Sequence, residues 1–249
     1  MSNNVYASYN GSQLGFTVRD LGLDQTSFSN LEIDINSIAS GENGDVYLAS
    51  KNHLYHYKAD GTLITDMTFP DESINYTNVV VHDNRVYASY SGSQLGVTVR
   101  NLSLKQLSFF NTGFVASGIA AGNNEDIYLA SENHIYRYGI DGNLIKDMTF
   151  PINTIIYTDI TVLGDNVYAS YKGSQQGVTA RDINLEQLSS FNTGINTNSI
   201  AAGPNNNVYL ASANHIYNYT TTGELLADMN FPDDQINYTG ISVVFATTT

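Results

Sequence analysis

Three histidines, His53, His134 and His215, stand at intervals of 81 residues, each directly after an Asn. Three imidazoles around a threefold axis are the donor set of a zinc triad. Serine and glutamine recur at the same interval. Ser12 and Gln13, Ser93 and Gln94, and Ser174 and Gln175 each follow a glycine and, shortly before it, a tyrosine: Tyr9, Tyr90 and Tyr171. Uncharged donors and acceptors beside an aromatic ring suit a neutral, polyhydroxylated ligand. A hairpin turn that needs Gly and Ser for its geometry explains the same residues, since Gly11, Gly92 and Gly173 permit unusual backbone angles. Arg19, Arg100 and Arg181 recur too, each followed by Asp or Asn. No nucleophile and base can be drawn together: there is no Cys, no nucleophile elbow and no triad order, so no catalytic residue is assigned.

Charge narrows the partners. Ten basic against 24 acidic residues give −14, a surface that repels phosphate backbones and anionic lipid, so nucleic acid is not an expected partner. A hydrophobic content of 42% with 18 Tyr and 10 Phe is ample for a core. No segment approaches the roughly 20 apolar residues of a membrane helix, and the opening Met1-Ser-Asn-Asn lacks the regions of a signal peptide. The expectation is a soluble chain without membrane insertion, cytoplasmic by default, although its Lys-poor, Asn/Ser/Thr-rich make-up would also suit an exported one.

These residues recur because the chain repeats. Val5, Val86 and Val167 each open Val-Tyr-Ala-Ser-Tyr, and 86 − 5 = 81 equals 167 − 86 = 81. Repeats over 5–85, 86–166 and 167–249 argue for one body over residues 1–249. The segments alternate with period two and are rich in Val, Ile, Tyr, Thr and Phe, so the chain reads as all-β. In the first repeat, strands are expected at 37–40, 45–50, 53–57 and 62–69, with a Gly41-Glu-Asn-Gly44 turn and a type I′ turn at Asp60-Gly61. Strands at 78–82, 85–90, 96–101 and 106–110 follow, Asp83-Asn84 turning the first into the second. Each repeat thus holds two four-stranded meanders of about 40 residues, the size of a propeller blade, and three repeats make six blades. The first repeat begins on the second strand of its blade. The segment from Asn237 to Phe245 supplies the missing inner strand from the other end, closing the ring.

The run from Ile38 to Gly61, with Gly-Asp-Val-Tyr-Leu-Ala, Asn52-His53, Tyr55 and Asp60-Gly61, resembles an NHL repeat, and 119–142 and 200–223 match the same pattern, with Thr222 departing at the last turn. The resemblance covers alternate blades and implies a six-bladed propeller; propellers of this type include enzymes, receptors and adaptors, so it carries no single function. In NHL-type blades the Asn-His pair is a turn and inter-blade packing element, which is the reading preferred here for the three histidines. Similarity to six-bladed hydrolases points to the channel mouth, near Asn36, Thr77, Asn78, Ser117, Thr158, Asp159, Asn198 and Thr239, as the place for Ca²⁺. Only Asp159 there is charged, so no metal and no cofactor are assigned.

On a propeller, second-to-third loops share one face with the connections between blades. That places Tyr9, Ser12, Gln13, Tyr90, Ser93, Gln94, Tyr171, Ser174 and Gln175 together as ligand-binding residues. Arg19, Arg100 and Arg181 are expected to pair with carboxylates such as Asp66, Asp147 or Asp228. The reading is a monomeric, non-enzymatic module, with weaker similarity to tandem-repeat propeller lectins, that recognises neutral glycans. A protein-interaction scaffold is the alternative, and an NHL-like lyase or hydrolase with a channel-mouth metal is a second.

Overall fold

Short alternating apolar runs punctuated by turn residues bury their side chains only as antiparallel sheets. The computed structural model describes residues 3–41, 43–123, 125–150, 152, 154–231, 233 and 235–244. It forms six four-stranded sheets arranged as a propeller. Blade one takes β1 (Asn4–Gly11), β2 (Gly15–Arg19) and β3 (Gln25–Asn30). Blade two is β4 (Ser37–Ser40), β5 (Val46–Ser50), β6 (His53–Tyr57) and β7 (Leu63–Thr68). Blade three is β8 (Asn75–His82), β9 (Arg85–Ser91), β10 (Gly96–Asn101) and β11 (Gln106–Asn111). Blade four is β12 (Gly118–Ala121), β13 (Ile127–Ser131), β14 (His134–Tyr138) and β15 (Leu144–Thr149), and blade five is β16 (Ile155–Leu163), β17 (Asn166–Gly173), β18 (Gly177–Asp182) and β19 (Gln187–Asn192). Blade six is β20 (Ser199–Gly203), β21 (Asn207–Ser212), β22 (His215–Thr220) and β23 (Leu225–Asn230); β24 (Ile236–Val244) returns to blade one, whose order is β24-β1-β2-β3. β24 pairs with β1 from Asn4↔Val244 to Gly11↔Ile236, so the two ends of the chain close the ring.

Second strands are sandwiched between neighbouring blades and buried on both faces, which is why Val-Tyr-Ala and Val-Tyr-Leu read as continuous apolar runs. Val5, Ala7 and Tyr9 face one neighbour, while Tyr6 faces the other. The same hydrogen bonds recur around the ring. Tyr47 and Tyr128 donate to the carbonyls of Leu102 and Ile183 at 3.1 and 3.2 Å, and Tyr209 donates to Leu21 at 3.1 Å across the chain ends. Closure by β24 therefore rebuilds a contact found in the uninterrupted repeats.

One turn differs from expectation. Of Asp60 and Gly61, only the glycine has positive φ, 83°, and its N–H bonds back to Lys58 O at 3.0 Å. With the register shift beside Tyr57, this is a type I turn with a glycine bulge rather than a type I′ turn. Type I′ geometry occurs instead at Asp83-Asn84, where both φ values are positive, 46° and 61°. Residue 42 of the expected Gly41–Gly44 turn and residue 245 of the expected tail strand lie outside the described residues.

Candidate functional site

The second-to-third loops of blades one, three and five project Ser12, Gln13, Ser93, Gln94, Ser174 and Gln175 into solvent. Beside them run the connections that enter each blade. Ser93 Oγ donates to Asp71 at 2.6 Å and Ser12 Oγ to Asp233 at 2.5 Å. Hydroxyl donors hold both carboxyls below their usual range, Ser73 with Ser93 at Asp71 and Ser12 at Asp233. The third loop departs: residue 152, equivalent to Asp71 and Asp233, is Ile, and Ser174 pairs with Thr154 at 2.7 Å instead.

The three tyrosines expected beside these loops lie elsewhere. Tyr9, Tyr90 and Tyr171 are 0%, 2% and 3% exposed and offer no open ring face on that surface. Alternation along the second strand turns them into the seam with the preceding blade, where each packs on Phe231, Phe69 or Phe150 with ring centroids 5.7–5.8 Å apart. Tyr90 and Gln94 nevertheless come together, as parts of a recess of about 110 Å³ between blades two and three.

The channel mouth is a funnel of about 520 Å³ lined by Asn10, Asn36, Thr77, Asn198 and Thr239, among others. Two of its amides are engaged with the following blade, Asn36 and Asn198 each donating at 2.8 Å to Tyr76 O and Tyr238 O, and at the equivalent place Ser117 donates to Tyr157 O at 2.9 Å. Deeper, first strands enclose a channel of about 160 Å³ that holds Asn78 and Asp159. The Asp159 carboxyl accepts from Ser199 Oγ at 2.6 Å, Ile200 N at 3.0 Å and Ile160 N at 2.8 Å. Burial pushes it up to about 7, with those three donors pulling the other way. Among the described residues no three of His, Cys, Asp and Glu are grouped as a metal would require.

The arginines do not reach the expected carboxylates. Arg19, Arg100 and Arg181 are buried, and each donates through Nη1 to a carbonyl four residues on, Leu23, Leu104 or Leu185, at 2.8–2.9 Å. Arg19 and Arg100 also meet Tyr238 and Tyr76 hydroxyls. Asp66, Asp147 and Asp228 belong to the histidines instead, because cross-strand pairing places them opposite residues of the same blade rather than the next one. His134 and His215 lie 2.8 and 2.9 Å from their aspartates, and His53 lies 3.9 Å from Asp66. The inter-blade bond at each Asn-His turn comes from the residue before it: Lys51, Glu132 and Ala213 carbonyls each accept a backbone N–H of the next blade at 2.6 Å.

Thr98, Gln106 and Phe109, which share the recess with Tyr90 and Gln94, were not singled out from sequence. A usable signal was there: Thr17, Thr98 and Thr179 interrupt otherwise apolar strands at the repeat interval.

No family model matches the chain, and no curated protein is similar to it in sequence. In fold it is similar to the crystal structure of a protein of unknown function from Bacteroides caccae, with TM-score 0.76, 11% identity, and 98% of this chain and 99% of that one covered. It is also similar to the WD40 β-propeller domain of Doa1, with TM-score 0.68, 11% identity and coverage of 92% and 80%. The WD40 domain of Neurospora crassa Pan2 follows, with TM-score 0.60, 10% identity and coverage of 79% and 66%. At such identities the likeness is one of fold.

Proposed function

We propose that this propeller is a non-enzymatic binding module that recognises neutral glycans. The observation that carries the reading is the recurrence, on one face, of three exposed Gly-Ser-Gln loops whose side chains are uncharged donors and acceptors. Asp71 and Asp233, held ionised beside two of these loops, add strong acceptors for sugar hydroxyls. Several weak sites on one rigid ring gain strength together on a surface that displays many copies of a sugar. The resemblance of blades two, four and six to NHL repeats, and the reading of residues 1–249 as one domain acting as a monomer, belong to the same proposal. A neutral glycan array followed by calorimetry tests it. Saturable binding that is lost when Gln13, Gln94 and Gln175 are changed together to Ala supports the reading, and no binding to any sugar removes it.

A protein-interaction scaffold is the second reading. It is favoured by exposed apolar pairs on the outermost strands of alternate blades, Leu63 with Ile64, Leu144 with Ile145 and Leu225 with Leu226. A protein retained in a pull-down in the presence of excess free sugar favours the scaffold; release by the sugar favours the glycan module.

A further inference from the structure

The recess between blades two and three is lined by Phe69 at the end of blade two and by Tyr90, Gln94, Thr98, Gln106 and Phe109 of blade three. Its volume of about 110 Å³ compares with the roughly 150 Å³ of a cavity that takes benzene, so it accepts one side of a six-membered ring and leaves the rest in solvent. The lining is chemically two-sided. Phe109, 60% exposed, is an aromatic wall with little packed against it. Thr98 is 1% exposed, and its Oγ1 has no hydrogen-bond partner, which is costly for a buried hydroxyl unless something entering the recess supplies one. Arg100 Nη2 holds Gln106 Oε1 at 3.3 Å, which orients the amide and leaves its N–H groups as donors.

The repeat places equivalent residues at two further seams. Between blades six and one, Phe231, Tyr9, Gln13, Thr17, Gln25 and Phe28 take the same places. Phe28 is again 60% exposed, and Arg19 Nη2 holds Gln25 Oε1 at 3.2 Å. Between blades four and five, Phe150 and Tyr171 pack as in the others, but Ser190 stands where Phe28 and Phe109 stand. There Thr179 Oγ1 donates to Ser189 O at 3.5 Å. The same repeat lacks the aspartate that clamps Ser12 and Ser93.

We propose that the grooves beside Phe109 and Phe28 each seat a hexopyranose ring of a neutral glycan, its C–H face against the phenylalanine and its hydroxyls on the glutamine amides and the threonine. The groove beside Ser190 lacks the aromatic wall and is a much weaker seat, so one chain carries two working sites rather than three. This inference rests on the glycan reading above and adds where the ring sits and how many are held.

The test uses the methyl glycosides of glucose, galactose, mannose and N-acetylglucosamine, soaked into crystals, together with binding to the same sugars displayed on a neutral polymer. Sugar density is expected beside Phe109 and Phe28 and not beside Ser190. Phe28→Ser and Phe109→Ser, at exposed positions, should leave melting unchanged while weakening each site roughly 3- to 10-fold. The double variant should lose polymer binding, and Ser190→Phe should create a third occupied groove. Sugar held at three equivalent loop positions, with the phenylalanine variants binding as wild type, overturns the groove assignment while the glycan reading stands. Failure of all four sugars in both formats overturns the groove assignment, and failure of every sugar on the array overturns the glycan reading with it.

Discussion

Asp159 breaks the threefold pattern inside the channel, since the equivalent positions carry Asn78 and Gly240. Its neighbour changes with it. Where Ser37 Oγ accepts the N–H of Val79 and Ser199 Oγ that of Ile241, both at 3.2 Å, the third copy has Gly118. A Cβ at 118 would lie 2.4 Å from Asp159 Oδ1, so glycine makes room and the aspartate's own oxygen takes over the orphaned N–H of Ile160. The exchange gives the fold a pH dependence. Because the folded carboxyl titrates near 7 and the unfolded one near the ordinary carboxylate value of 3.8, the folded chain binds more protons between those limits. Stability from this group is thus full below about pH 4 and lost as pH rises through about 7. The loss is roughly 2–4 kcal/mol, discounted for solvent in the channel. Asp159→Asn, the residue already used at position 78, is expected to flatten urea-unfolding stability between pH 4 and 8. A slope unchanged by that substitution would contradict the assignment.

At the scale of the element, the Gly-Ser-Gln hairpins owe their glycine to a close approach between strands. Gly92 has φ +129°, and a Cβ there would fall 1.9 Å from Ser73 O on the connection entering the same blade; Gly11 and Gly173 meet Gln235 O and Thr154 O at 1.9 and 2.0 Å. Gly92→Ala is therefore expected to cost about 2–4 kcal/mol in chemical denaturation, and a change below about 0.5 kcal/mol would show that the hairpin relaxes freely. The geometric role of these glycines was legible in the sequence, as were the strands, because period-two alternation and an 81-residue repeat report backbone structure directly. Side-chain direction was less so. Tyr9 reads as part of a polar loop but lies on the face shared by Val5 and Ala7, and that parity is fixed only once both neighbouring blades are in place. The partner of Arg100 could not be read either, since Leu104 O is brought to it by a tight turn in which Leu104 itself has positive φ, 61°, an uncommon conformation for leucine. The recess beside Phe109 was not legible because it is assembled from two blades, with Phe69 lying 40 residues before Phe109.

For the whole molecule, every site argument depends on the ring being closed by the strand at its far end. The innermost hydroxyl pairs show how completely the seam copies the repeat: Thr77 with Ser89 at 2.8 Å, Thr158 with Ser170 at 2.7 Å, and Thr239 with Ser8 at 2.9 Å across the chain ends. Ile241 and Tyr238 of β24 are buried at 4% and 0% exposure against Val5, Ala7 and Tyr9. Without β24, β1 would present an open inner edge and the seam that places Tyr9 on Phe231 would lose its support. Native-state hydrogen exchange tests this most directly. The account predicts that amides of residues 4–11 and 236–244 exchange as slowly as those of β8 and β9, opening only with the whole ring. Exchange of those two segments at the rate of frayed ends, while β8 and β9 stay protected, would contradict closure.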